Sequence, residues 1–361
     1  MIREENGMRT AQDSSAAKAG GNSPAEAGSL QAARKETAGT AEAAKAGGDN
    51  PAEAGSLQTA LKEAAESFRR ICGDENVLEE EAMSVHTTFR IGGPAAVFVM
   101  PPDEERLRDV LQLCRSEKLP CTVMGNGSNL LVSDEGYRGV VVQISRNMNR
   151  IETEGEQIRA QAGAMLSAIA RRAMEESLTG MEPESGIPGT LGGALSMNAG
   201  AYGGEMKDIT LSVRVLTPDG QIRELAGEQM QFAYRTSIVQ KENLVVLSAV
   251  LQLEKGDAEQ IRARMEELRQ KRTQKQPLDL PSAGSTFKRP QGYYAAALID
   301  EAGLRGYRVG GAMVSEKNCG FLVNIDHATA SDVRTLMEDV KARVCSMSGV
   351  ELEPEVRMLG F

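Results

Sequence analysis

From Ser185 to Gly204 the chain reads SGIPGTLGGALSMNAGAYGG, with glycine or another small residue at most positions. Glycine has the most backbone entropy to lose on folding, so such density marks left-handed turns or a backbone pressed against a ligand. A shorter stretch of the same character is Gly125-Asn126-Gly127-Ser128-Asn129-Leu130. Together they predict main-chain N–H groups gathered around a large, phosphate-bearing cofactor. In that reading Ile187-Pro188-Gly189 turns the chain so that successive N–H groups converge on a pyrophosphate. Gly125-x-Gly127 is not a Rossmann fingerprint, because the third glycine is missing and apolar Leu130-Leu131-Val132 follows instead of a helix. Read alone, the short loop also fits a tight turn capped by Asn126 and Asn129.

Three further segments offer groups for chemistry. Phe232-Ala233-Tyr234-Arg235-Thr236-Ser237 alternates in polarity and predicts a strand or strand end, with Arg235 and Ser237 on one side and Tyr234 and Thr236 on the other. A guanidinium is the natural bidentate partner of a substrate carboxylate, although spacing alone reads as well as an ordinary surface arginine. Ala283-Gly284-Ser285-Thr286-Phe287-Lys288-Arg289-Pro290 presents hydroxyls beside two cations. Ser285 could donate a proton, or simply close a turn. A nucleophilic serine would need a histidine base, and neither His86 nor His327 lies in an acyl-transfer motif. Glu351–Leu359 alternates cleanly, with Glu353, Glu355 and Arg357 on one face. Either it is a solvated edge strand, which Pro354 would suit, or it holds a carboxyl beside arginines in a cleft as an acid.

These groups need elements to hold them. Ala96–Met100 predicts a strand, and Asp103 caps a helix with an apolar stripe at Leu107, Val110, Leu111 and Cys114. Thr122–Met124 is a short strand delivering the Gly125 loop, Val140–Val142 another strand, and Ala164–Met174 a helix leading to the long glycine loop. Leu211–Leu225 is a hairpin around Pro218-Asp219-Gly220, and Leu244–Leu253 a further strand. Asp257 caps a helix with Ile261, Met265 and Leu268 inward, ending in the basic run Arg269, Lys271, Arg272 and Lys275. Helices near Ala295–Ala302 and Ser331–Val344 follow. Strands and helices mix without strict alternation, which predicts α+β architecture.

Bulk properties narrow the function. The 361 residues suffice for two domains, and a net charge of −10 with a pI of 5.1 leaves no basic face for nucleic acid. Five scattered cysteines without C-x-x-C spacing argue against a disulfide framework and a zinc site, and fit a reducing cytoplasm. Only two histidines are present, which leaves no His-rich metal site. The charged N-terminus leads into no apolar run, so no secretory signal is expected, and no stretch suits a membrane span.

Residues 1 to about 70 read as a separate Ala/Gly-rich tail, with Phe68 the only aromatic. Pro24–Gln31 recurs identically as Pro51–Gln58, two copies being too few to stack into a solenoid. The tail is either disordered with transient helix or a docking segment for an unknown partner. A cofactor-binding half then spans 71–255 and a second half 256–361.

From about Ser84 to Phe361 the chain resembles the UDP-N-acetylenolpyruvoylglucosamine reductase family. The motifs are His86-Thr87-Thr88-Phe89-Arg90-Ile91-Gly92-Gly93, the Gly125–Leu131 and Gly186–Gly203 loops, Phe232–Arg235, Ala283–Lys288 and Leu352–Arg357, in the family's order and spacing. The resemblance implies a PCMH-type FAD-binding domain of two α+β lobes, followed by a smaller α+β substrate-binding domain. It implies FAD held by Asn126, Gly127, Ser128, Asn129, Gly186, Ile187, Pro188, Gly189, Thr190, Gly193, Asn198, Ala199 and Gly200, with NADPH as hydride donor. By the same resemblance Arg235 and Glu355 stabilise the enolate of an enolpyruvyl UDP-sugar, and Ser285 protonates its α-carbon. Tyr234, Lys275, Lys288, Asn318 and Arg357 would contact substrate, Asn318 standing where relatives of the shorter subclass often carry histidine.

About fifty residues separate Arg235 from Ser285, as in that subclass, which lacks an inserted loop whose tyrosine covers the substrate. Two other readings stand beside this one. A sugar oxidase of the same FAD-binding superfamily would need no proton donor for an enolate. A non-catalytic flavin- or nucleotide-binding protein would have no use for Arg235, Ser285 and Glu355 together.

Overall fold

The computed structural model describes residues 51–361. Its first element is the helix Pro51–Cys72, in which Leu61, Ala64, Ala65, Phe68 and Cys72 recur at helical spacing and are buried. The helix packs on the first sheet and on the helix Glu104–Ser116. This corrects the expected tail for residues 51–70. Phe68, the lone aromatic of an otherwise small-residue segment, is fully buried in the main core and anchors the helix there. The second copy of the duplicated octapeptide opens this helix, while the first lies outside the described residues. Phe68→Ala is expected to cost about 3–5 kcal/mol in denaturant unfolding, and a loss below about 1 kcal/mol would place the helix outside the cooperative unit.

The first sheet has the strand order Val77–Ala82, Pro94–Val99, Tyr137–Gln143 and Cys121–Met124, antiparallel for the first pair and parallel thereafter. Both faces are covered, so its central strands are apolar almost throughout. Val97, Val99, Val140 and Val142 join the main core, and Phe98, Tyr137 and Val141 join a smaller one with Met83 and Leu359. Asp103 caps the helix Glu104–Ser116 as predicted, its carboxylate accepting from Arg106 N at 2.9 Å.

The second sheet is antiparallel, in the order Ile222–Ala226, Thr210–Leu216, Val245–Gln252, Gln157–Gln161 and Ile151–Glu154. The main core continues from the first sheet into this one and takes in the helices Leu166–Glu175 and Leu191–Met197. The cofactor half is therefore two lobes around one core. The third part has the strands Arg308–Val309, Ala312–Val314 and Leu322–Asn324 packed with the helices Ala295–Glu301 and Ala330–Ser348 around its own core.

Two boundaries differ from expectation. The helix Ala258–Lys275 packs on the helix Leu166–Glu175 and the strand Leu178–Thr179, with Met265 against the main core. The break to the third part thus falls after Lys275, not near 255. Of the predicted strand Glu351–Leu359 only Arg357–Leu359 is regular, and it pairs in parallel with Leu130–Val132 beside the first lobe. The chain end thereby returns from the third part to the segment that follows the short glycine loop. Parallel pairing of segments more than 200 residues apart leaves no local sequence signal.

Candidate functional site

Gly127 has φ 62, and a Cβ there would collide with the carbonyl oxygen of His86. Only glycine suits both conditions. The segment that approaches it is itself a bracket. Thr88 N donates to Gly127 O at 3.2 Å, Thr88 Oγ1 donates to Ser282 O at 2.7 Å, and Asn324 Nδ2 donates to Phe89 O at 3.2 Å. The His86–Gly93 motif therefore ties the short glycine loop to the serine segment and the third part. His86 itself stacks on Phe98 and pairs with Glu81, a structural arrangement.

The two glycine loops meet. Asn126 Nδ2 donates to Pro188 O at 3.0 Å, and the N–H groups of Asn126, Gly127, Ser128, Gly186 and Gly189 have no protein acceptor among the described residues. Unpaired amides from two adjoining loops are a ready cradle for a diphosphate, and they fit the FAD expected from the sequence. Other assigned residues are placed differently. Thr190 is buried, Ile187 packs against the main core, and Pro188 and Gly193 are exposed. Ala199 N returns to Ala194 O, and Gly200 pairs with Glu205.

Asn198, expected to contact the cofactor, stands at the C-terminal end of the helix Leu191–Met197. It is buried at φ 44, its amide donates to Glu205 Oε2 (2.9 Å) and Ala233 O (3.4 Å), and its Oδ1 accepts from Lys207 N (3.0 Å). Those bonds occupy the side chain inside the protein. Asn129 also turns inward, donating to Glu355 O at 3.0 Å while its own carbonyl accepts from Arg357 N at 3.2 Å.

The residues 283–288 lie between two neighbours. On one side Thr286 N donates to Gly320 O at 2.8 Å, and Leu322 N donates to Thr286 Oγ1 at 3.1 Å. On the other, Glu355 N donates to Thr286 O at 2.8 Å and Lys288 N to Glu353 O at 2.9 Å. Thr286 and Phe287 are buried, and Ser285 is exposed. Glu355 is delivered beside this segment, and Arg235 reaches it from the second lobe, Nε to Oε1 at 2.6 Å. Burial pushes the Glu355 carboxyl above the usual carboxylate range, against the opposing pull of Arg235 and Lys288. It is thereby disposed to carry a proton more readily than an exposed glutamate.

Phe232–Ser237 is a tight turn and not the predicted strand. Ala233 and Thr236 bond each other's backbone, and Arg235 stands at φ 56. The expected alternation fails with it: Ser237 is buried, caps the helix Ile238–Lys241 and donates to Ser196 O at 2.9 Å. Gln240 Nε2 holds the carbonyls of Ser196 (2.7 Å) and Arg235 (3.3 Å). Together with the Asn198 bond to Ala233, these contacts hang the Arg235 turn on the end of the helix Leu191–Met197.

Around the pair, Tyr234 is half exposed, and its hydroxyl accepts from Arg289 N at 3.0 Å. Lys288 pairs with Glu353. Arg357 is exposed at the first position of the returning strand, next to Asn129. The Asn318 Oδ1 accepts from Gly320 N at 2.9 Å, closing its own turn. Lys275 is exposed at the end of its helix.

Immediately before the long loop stands a residue that carries no motif signal in the sequence. Glu184 is 1% exposed, neither carboxylate oxygen has a hydrogen-bond partner, and burial pushes it from an ordinary 4.5 to about 7. The folded state binds this proton more tightly than the unfolded chain. Stability should therefore fall as pH rises from about 4.5 to about 7, by up to about 3 kcal/mol, and stay lowered above. Glu184→Gln is expected to remove that decline in melting temperature between pH 5 and 8, and an identical pH profile in both proteins would overturn this.

Arg272 belongs to the basic run Arg269, Lys271, Arg272 and Lys275 that ends its helix. It is 8% exposed and continues the inward stripe of Ile261, Met265 and Leu268. A charged residue at the fourth position of an apolar stripe was the available signal. Among the described residues no helix is long and apolar enough to cross a membrane, and no group of three or more His, Cys, Asp or Glu could hold a metal ion.

Comparison with known proteins completes the picture. Residues 95–226 match the family model described as FAD binding domain. Residues 276–359 match that described as UDP-N-acetylenolpyruvoylglucosamine reductase, C-terminal domain. The chain is 49% identical over 290 residues to UDP-N-acetylenolpyruvoylglucosamine reductase of Clostridioides difficile strain 630, covering 80% of this chain and 95% of that one. It is 51% identical over 299 residues to the enzyme of the same name from Lachnoclostridium phytofermentans, covering 82% and 96%. The solved UDP-N-acetylenolpyruvylglucosamine reductase of Thermus caldophilus superposes with a TM-score of 0.68 at 35% identity, over 77% of this chain and 97% of that one.

Proposed function

Since the chain belongs to the UDP-N-acetylenolpyruvoylglucosamine reductase family, we propose that Arg235, Ser285 and Glu355 form the centre at which it reduces the enolpyruvyl group of UDP-N-acetylglucosamine enolpyruvate. The protein is an FAD-dependent oxidoreductase of peptidoglycan precursor synthesis, and its product is UDP-N-acetylmuramate. FAD, when bound, supplies a hydride obtained from NADPH. The observation that carries the site assignment is convergence: Arg235 from the second lobe meets Glu355 at 2.6 Å, beside the exposed Ser285 segment and one bond from the short glycine loop.

Hydride arriving at the vinyl β-carbon leaves negative charge on the α-carbon and its carboxylate. The Arg235 guanidinium suits that carboxylate. Glu355, disposed to hold a proton, can donate a hydrogen bond to the same developing charge. Ser285, exposed and with no side-chain hydrogen bond among the described residues, is the proton donor to the α-carbon in this reading. An unactivated hydroxyl is a weak acid, but it suffices for a strongly basic carbanion-like centre. The amides of Asn126, Gly127, Ser128, Gly186 and Gly189 hold the cofactor's diphosphate in this reading. Tyr234, Lys288, Asn318 and Arg357 line the substrate side, and Lys275 is assigned there by resemblance alone.

An anaerobic two-step titration tests the function. The purified yellow protein should bleach with NADPH and regain its colour rapidly on addition of UDP-N-acetylglucosamine enolpyruvate. Bleaching without recovery would move the enzyme to another electron acceptor. A colourless protein that takes up no FAD would overturn the reading of both glycine loops.

A further inference from the structure

A buried cation without a partner is costly, because removal from water is not repaid by any bond. Arg272 is such a group. It is 8% exposed, its guanidinium makes no hydrogen bond or ion pair among the described residues, and Nη2 is buried and unsatisfied. The side chain is nonetheless closely placed. It lies 5.6 Å from the ring centroid of Tyr202, itself held at φ 52, and a Cβ on Gly186 would stand 2.7 Å from Arg272 Nε. The absence of a side chain at Gly186 leaves room for the guanidinium against the loop, at the point where the Gly186 and Gly189 amides lack acceptors among the described residues. A closely fitted cation beside unpaired N–H groups describes half of an anion site.

We propose that Arg272 is a cofactor-binding residue whose guanidinium neutralises an anionic part of bound FAD. This inference rests on the reading above that the two glycine loops hold FAD. Two parts of that cofactor have the right chemistry: the diphosphate, and the pyrimidine edge of the flavin, which gains negative charge on reduction. A guanidinium serves either one. The protein accepts an uncompensated charge in the cofactor-free state and recovers the interaction on loading, so stability and cofactor affinity should respond to Arg272 in opposite directions.

The test uses full-length apoprotein of wild type, Arg272→Met and Arg272→Lys. Each is titrated with FAD by flavin fluorescence and with ADP as a flavin-free diphosphate, then melted with and without ligand. Arg272→Met apoprotein is expected to melt about 2–4 °C higher than wild type and to bind FAD at least tenfold more weakly, with Arg272→Lys recovering part of the affinity. A parallel loss toward ADP assigns the diphosphate. Unchanged ADP binding with a lowered flavin midpoint potential assigns the pyrimidine edge. Arg272→Met that binds FAD as wild type does, with an unchanged potential, overturns the inference, and so does an Arg272→Met apoprotein that melts lower than wild type. Wild type that binds no FAD would instead overturn the reading on which the inference rests, and the inference with it.

Discussion

With Ser285 replaced by Ala, reoxidation of the reduced enzyme by the enolpyruvyl sugar should slow by about 10²–10⁴-fold, while reduction by NADPH keeps its rate. The asymmetry follows from where the serine sits. Its neighbours Thr286 and Phe287 are buried and hold the segment between the Gly320 and Glu353–Glu355 stretches, whereas Ser285 is exposed and its hydroxyl makes no hydrogen bond among the described residues. Loss of the oxygen is therefore expected to leave the fold intact and to remove only the proposed proton donor. Stopped-flow absorbance of each half-reaction separates the two effects. Equal slowing of both would sink the assignment, because a proton donor to the α-carbon has no part in accepting hydride from NADPH.

Arg235→Met should lower the same oxidative half-reaction by about 10²–10³-fold and shift its pH dependence. Burial raises the Glu355 carboxyl, and the guanidinium at 2.6 Å pulls it down. Removing the guanidinium removes the downward pull, so Glu355 should hold its proton to still higher pH. The alkaline limb of the half-reaction moves upward accordingly. A limb that stays in place would show that Glu355 is not the titrating group. Arg235→Gly discriminates further. Arg235 is held at φ 56, a conformation that costs a side chain on the order of 1 kcal/mol. Glycine relieves that strain while deleting the charge. A large activity loss with little loss of stability is expected, and a protein that melts far lower would make Arg235 structural first.

The substitution of a turn for the predicted strand at Phe232–Ser237 shows why that strain is present. Alternating polarity over six residues is equally compatible with a strand and with a turn whose ends pair with each other. Nothing local marks Gln240 and Asn198 as the residues that would hold the Arg235 turn by its carbonyls. Phe68 and Arg272 failed for a related reason. Composition averaged over the first seventy residues masked one fully buried aromatic, and a run of basic residues masked one position facing inward. In both cases the helical period carried the information, and the averaged property hid it.

The residue types and their order were sufficient for the α+β class, the two glycine loops, and the candidates Arg235, Ser285 and Glu355. Dense glycine and small residues have few physical uses, and caps, hairpins and apolar stripes are local. Only the tertiary structure decided which groups meet. Arg235 and Glu355 lie 120 residues apart. Their contact depends on a chain end that returns to pair with Leu130–Val132, and on a turn hung from the helix Leu191–Met197. The unpaired state of Arg272 and Glu184 was likewise invisible beforehand. A missing partner is a property of everything that surrounds a side chain, and sequence neighbours supply only a small part of that surrounding.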